Sequence, residues 1–376
     1  MRLPTCRPAR ACARFSASAA DPAAQQGVEQ VEPAAELVAL HLEWCRFREA
    51  DTAFQKLVGE HREFSAVARL GQRLLRLDLE RVDLADHGHL ASAVPSDLAS
   101  RVGGLQFPRR PDSIDRGPLA DFGPLVSLML EVFAIRWRRR ESLHVLALIH
   151  LIGEYAGHMA WEPVLGHSLD PPMLADDVSG RASLWGQVGD DRCGHRRSQQ
   201  HLASEVSELE MMRSEARWVE FLHEEYSRVG EMMTVCALRG SMRAFDRRVR
   251  GCSAHCSVWV RHSEADRDAL ERRARLAALL GASPLIQMRH SAPVGHFFGV
   301  PDLEEIAQEW GRFAHEARKR LGHDLSVGGG VDDMPQNLCL LISALRGEPT
   351  QQSSLVADVV SHLRSILNTS TRTVET

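Results

Sequence analysis

From Leu202 to Val229 the apolar positions advance by three or four residues at a time: Leu202, Val206, Leu209, Met212, Ala216, Val219, Leu222, Tyr226 and Val229. A row with that spacing runs along one side of an α-helix, which turns once in about 3.6 residues. Neither proline nor glycine interrupts the stretch before Gly230. The pattern predicts one long amphipathic helix over 198–229 and a shorter one over 231–249. Such a stripe has to be covered, either by the chain's own core or by a second copy. A homo-oligomer assembled through helix 198–229 is therefore one expectation.

The same periodicity recurs elsewhere. Leu37, Leu40, Trp44 and Phe47, extended by Phe54 and Leu57, predict a first helical face, and Phe64, Val67, Leu74 and Leu75 a second. Apolar helices are expected near 124–137 and 141–160, and two more near 335–346 and 353–367. Segments 86–118 and 166–195 are rich in glycine and proline or in aspartate, and read as irregular connections.

At Gly251 the character changes. Residues 256–262 alternate like a strand, and 284–290 and 295–300 read as two more. Ser263, with Asp266 three residues on, predicts a capped helix over 264–280 that ends at Gly281. Asp302 and Glu305 predict the cap of another, carrying Ile306, Trp310, Phe313, Ala317 and Leu321 and closed by Gly322. The order β-α-β-β-α fits a small ferredoxin-like sandwich. The expected fold class is thus α+β and predominantly helical. It comprises a disordered leader or transit-like segment over 1–33, a helical domain over 34–250 and an α/β module over 251–325. A Gly-rich joint at Gly328–Gly330 and a helical tail complete the chain over 326–376.

Composition narrows the functional classes. The 376 residues carry 45 Lys+Arg against 50 Asp+Glu, a net charge of -5. Near-balance gives no global case for nucleic acid or an anionic membrane surface. Lys56 and Lys319 are the only lysines, leaving 43 arginines, as a GC-rich genome would produce. The run Arg136, Arg138, Arg139 and Arg140 reads as a solvated helix end. Eight irregularly placed cysteines fit reduced thiols in a cytoplasmic protein. The acid-poor, arginine-bearing segment 1–33 would make it organellar if it is a transit peptide. No apolar run is long enough to predict membrane insertion.

Two predicted strands end alike, in Val260-Arg261-His262-Ser263 and Met288-Arg289-His290-Ser291. Strands linked through a helix run parallel, and ligands bind beyond their carboxyl ends. Side by side, Arg261, His262, Ser263, Arg289, His290 and Ser291 would form a phosphate or carboxylate site, with His296 as acid or base. Strand alternation opposes this by sending neighbouring Arg and His to opposite faces. The leading expectation is an intracellular, ligand-responsive binding or regulatory protein that holds a small anionic ligand on the C-terminal module.

The second candidate is helical. His150, Glu154, His158 and Glu162 recur every four residues, so that three in succession share a face suited to zinc or iron. That pattern supports the alternative of a metal-dependent enzyme, although it is not the spacing of zinc proteases or di-iron bundles. Cys193, His195, Cys252, His255 and Cys256 form a third, looser set of metal-type ligands. A helical scaffold with no small-molecule site is the remaining alternative. No nucleophile elbow, phosphate loop, dinucleotide fingerprint or kinase set is present.

Overall fold

The computed structural model describes residues 22–79, 93–178, 201–202, 206, 214–238, 262–291, 299–328 and 330–374. Fourteen α-helices and no strand occur among them. In chain order these are α1 (Pro22–Glu43), α2 (Phe47–Val58), α3 (Arg62–Leu74), α4 (Ser96–Gly103), α5 (Gly123–Arg138), α6 (Ser142–Leu165) and α7 (Pro171–Val178). There follow α8 (Glu215–Glu224), α9 (Tyr226–Ala237), α10 (Glu264–Gly281), α11 (Pro284–Ser291), α12 (Leu303–Leu321), α13 (Met334–Arg346) and α14 (Leu355–Val374). Among the described residues no helix is long and apolar enough to cross a membrane.

The centre of the fold is α6. Its sequence is mostly apolar, with Glu154 and Glu162 its only carboxylates, as suits a helix largely covered by others. It packs against α5, α9, α10, α11 and α13. Val145, Ile149, Ile152 and Met159 join a large core shared by α1–α3, α5 and α10–α14, while Trp161 belongs to a second core with α8, α9 and the first half of α10. The C-terminal helix α14 returns to α1 and α3, so the chain's last helix shares a core with its first ones.

The crossing of α6 and α9 is set by two glycines. A methyl group built on Gly157 would lie 2.2 Å from the Gly230 carbonyl oxygen, and one on Gly230 would lie 2.3 Å from Nδ1 of His158. Only bare backbone allows this approach. At Gly153 the obstructing atom is instead the mobile Cδ1 end of Ile286, at 2.6 Å.

Buried carboxylates terminate two other helices. Glu131 of α5 accepts hydrogen bonds from Ser353 Oγ at 2.7 Å, Val356 N–H at 3.2 Å and Ala357 N–H at 3.0 Å, so it caps α14 from another element. Glu162 of α6 accepts the Phe122 N–H at 2.6 Å and caps α5. These contacts satisfy donors that a helix start leaves without an internal partner.

Several expectations change. The ferredoxin-like βαββα module is overturned, because 284–290, read as a strand, lies inside helix α11, and Gly299 and Val300 are not extended into a sheet. The run Leu285, Ile286, Met288 is short enough to suit either period, and Ser283 with Pro284 starts a helix there. Strand 256–261 and residues 292–298 lie outside the described residues, as do 1–21. The predicted helix 198–229 is divided: much of 198–213 is likewise outside, and Glu225 separates α8 from α9. Trp218, Phe221, Tyr226 and Val229 are buried in the chain's own second core. In α1 the covered residues are Val38 and Leu42, whereas Leu37 is 47% and Leu40 50% exposed. Helix α4 occupies part of the stretch expected to be irregular, and α10 runs through Gly281 to an Ala282 cap. The cap at Ser263, the Asp302–Glu305 capping box and the left-handed Gly322 are as expected.

The close crossing makes a direct prediction. Gly157→Ala should lower unfolding free energy by about 1–3 kcal/mol in urea titrations, because the facing atoms are backbone. Gly153→Ala should cost clearly less, since Ile286 can turn aside. Equal losses would show that the α6–α9 approach is not the tight contact described.

Candidate functional site

The cation-rich feature of this fold lies at the amino end of α6, where the α1–α2 turn, the end of α3 and the α5–α6 corner meet. They enclose a cleft of about 630 Å³. Arg46 and Arg48 reach it from the α1–α2 turn, Arg76 from the end of α3, Arg136 and Arg139 from α5, and His144 from α6.

The three bordering helix ends share one backbone device. Arg46 N–H bonds to His41 O at 2.7 Å, Asp78 N–H to Arg73 O at 3.0 Å and Glu141 N–H to Arg136 O at 3.0 Å. The residue before each donor is left-handed: Cys45 at φ 52°, Leu77 at 52° and Arg140 at 55°. These are Schellman-type ends, in which glycine usually occupies the left-handed position. Helices α6, α12 and α13 do end in left-handed Gly166, Gly322 and Gly347. A side chain in this conformation costs about 1–2 kcal/mol, and such strain gathers at functional sites. Of the four left-handed non-glycine residues among the described residues, Cys45 and Leu77 line this cleft and Arg140 follows the lining residue Arg139.

Its floor is polar and buried. Arg136 donates to Leu75 O at 2.9 Å and pairs with Glu141, which also holds Arg139 at 2.7 Å. The Arg139 Nε–H is enclosed and meets no acceptor. Burial, together with Arg136 and Arg46, pulls the Arg139 pKa down, with Glu141 opposing. The His144 imidazole is held below its usual pKa by burial and then by Arg136, again against Glu141. It is therefore neutral at pH 7. Burial raises the Cys45 thiol, so the cleft wall there is uncharged. The first turn of α2 has no side-chain cap bond, and its residues Phe47, Arg48 and Glu49 line the cleft, so the N–H groups that a helix start leaves without an internal partner belong to this wall. Arginine forks and helix N–H groups are suited to phosphate or carboxylate oxygens.

The arginine run is only in part the solvated helix end expected. Arg136 is buried and Arg139 half-buried, whereas Arg138 and Arg140 are exposed; Arg138 lies over the Trp44 ring and donates to Glu43 O at 3.0 Å, and Arg140 pairs with Glu304 at 2.7 Å. Sequence reasoning missed Arg46, Arg48 and Arg76 altogether. Their only signal was the arginine excess, which is spread over the whole chain.

The C-terminal anion candidates fall on different elements. His262 precedes α10 with its ring 6.4 Å from that of Trp161, and Ser263 caps α10. Arg289 is exposed, and Arg289, His290 and Ser291 form the last turn of α11, where the helix dipole disfavours an anion. Ile286, one turn before them, packs at Gly153, eight residues (about 12 Å) along α6 from Trp161. Arg261 and His296 lie outside the described residues, as do Cys193, His195, Cys252, His255 and Cys256.

The metal candidates also divide. His150 Nε2 and Glu154 Oε1 approach to 3.2 Å. His158 instead enters an aromatic cluster with Phe122, Tyr155 and Tyr226, its ring 4.4 Å from that of Tyr226. Among the described residues no three His, Cys, Asp or Glu side chains gather as a metal would require.

His158 and Glu162, one turn apart, titrate in opposing senses. Burial lowers His158 to about 3, against the Tyr226 backbone. Burial raises Glu162 to about 7, against its bond from Phe122 and the Arg346 charge. Comparison with protein-family models, curated proteins and solved structures gives no significant match.

These two buried groups predict a pH profile. Between about pH 4.5 and 6.5 the unfolded chain binds a proton at His158 that the folded chain refuses, so this group adds stability as pH rises. Over the same range the folded chain keeps a proton on Glu162 that the unfolded chain has lost, so this group subtracts stability as pH rises. The two slopes cancel in the parent protein. Glu162→Gln should expose the histidine slope, about 1.4 kcal/mol per pH unit in urea unfolding. An unchanged slope in that variant would contradict the paired titration.

Proposed function

We propose that this protein binds a small anionic ligand in the cleft between the α1–α2 turn, α3 and the α5–α6 corner. One observation carries the reading. Five arginines from three separate elements converge on a concave site, while among the described residues the carboxylates at its wall and floor are Glu49 and Glu141. Among the described residues that leaves three positive charges in excess, and the buried Arg139 Nε–H lacks an acceptor. An enclosed donor without a partner costs about 1–3 kcal/mol, which a small turn of the Arg139 side chain toward an incoming oxygen would relieve.

The volume is that of a small-molecule site, which spans roughly 300–1,000 Å³. Buried cations with uncapped N–H groups favour a negatively charged guest over a neutral one. The thiol of the cleft wall, Cys45, is held neutral by burial. Binding is accordingly the activity proposed, and the left-handed turns provide rigid positions for the charged groups.

Thermal unfolding tests this. Sulfate, phosphate or citrate near 100 times its dissociation constant should raise Tm by roughly 5 °C over sodium chloride of equal ionic strength. Arg139→Ala and the exposed-rim variant Arg76→Ala should each lose most of that rise while keeping the parent circular dichroism spectrum. Equal shifts in parent and variants, or none in the parent, would overturn the proposal.

A further inference from the structure

The cleft's charge arrangement narrows the class of ligand, an inference that rests on the anion-binding reading above. Its cations form two tiers. Arg136 and Arg139 occupy the floor, held at one side by Glu141, and Arg139 retains its unmatched Nε–H. Arg46, Arg48 and Arg76 stand exposed at the rim, on elements different from that of the floor pair.

A single carboxylate has one charge and two oxygens lying in one plane. It would leave two of the three uncompensated charges facing each other. Like charges a few ångströms apart repel appreciably even when partly solvated. Arg46 and Arg139 already act on one another in this sense, as Arg76, Arg136 and Arg139 do on His144. A group with several charges and non-planar oxygens can meet the floor arginine, the rim arginines and the α2 N–H groups together. Pyrophosphate has that form.

Pyrophosphate alone would not use the whole cavity. Beside the cations the wall continues into Leu77, Ala147 and Leu151, which are exposed or half-buried and apolar. A phosphate cradle next to an apolar shelf suits a ligand with a charged end and an organic end.

We propose that the cleft takes an organic diphosphate, with its pyrophosphate between Arg139 and the Arg46–Arg48 rim and its organic part along Leu77 and Leu151.

Isothermal titration calorimetry on the full chain at constant ionic strength tests this with five probes: acetate, succinate, inorganic phosphate, pyrophosphate and ADP. The expected order is ADP tightest, pyrophosphate at least fivefold weaker, phosphate at least tenfold weaker again and acetate without detectable binding. Stoichiometry should be one. Arg46→Ala and Arg139→Ala should each weaken pyrophosphate and ADP by tenfold or more, whereas Leu151→Ser should weaken ADP and leave pyrophosphate unchanged. Succinate binding tighter than pyrophosphate would overturn the ligand class and leave the anion cleft standing. ADP and pyrophosphate binding equally would remove the organic shelf. Absence of binding by every probe would overturn both this inference and the reading beneath it.

Discussion

One largely buried helix, α6, sets the terms for the rest of the structure. Because five helices pack against it, each polar group on its covered side has to find a partner or lose its charge inside the protein. His158 stays neutral among aromatic rings, and Glu162 is placed where the Phe122 N–H and the Arg346 guanidinium meet it. The Gly157–Gly230 contact brings α9 so near that side chains cannot intervene. Charge on α6 is left for its exposed face, at Glu154, and for its amino end, where the arginines assemble.

The same logic links distant helices. Glu162 on α6 caps α5, and Glu131 on α5 caps α14, so two consecutive buried carboxylates connect the central helix to the last one. Each adds a long-range cap to a local bond: the Gly123 N–H donates to Asp121 Oδ1 at 2.8 Å and the Leu355 N–H to Ser353 Oγ at 2.9 Å. The cleft extends this pattern with the opposite sign: Glu141, at the α5–α6 corner, draws Arg136 and Arg139 inward but has too little charge for both. The excess positive charge faces the solvent-filled concavity.

Much of the helical content was legible because its signals are local. The apolar runs at 124–137 and 141–160, the Ser263 cap and the Asp302–Glu305 box each lie within a turn or two of the helix they define. The segment 284–290 was misread because seven residues mixing Leu, Ile and Met fit either period, and tertiary contact with α6 and α12 decides for helix. The site was nearly invisible for a different reason. Its helix ends use Cys45, Leu77 and Arg140 where glycine would have marked the stop, and its cations are some 30 to 90 residues apart in a chain rich in arginine everywhere. The repeated Arg-His-Ser tripeptide was conspicuous in sequence, yet the fold puts His262 and Ser263 at the start of one helix and Arg289, His290 and Ser291 at the end of another.

The central claim is that Arg139 at the cleft floor awaits an oxygen ligand. NMR correlation spectra of the arginine Nε–H groups during a pyrophosphate titration observe that atom directly. The account predicts that the Arg139 resonance, assigned by its loss in Arg139→Lys, moves and saturates at one equivalent together with those of Arg46 and Arg76, while that of Arg346 stays in place. A stationary Arg139 resonance, or an unsaturating drift shared by all the arginines, would contradict it.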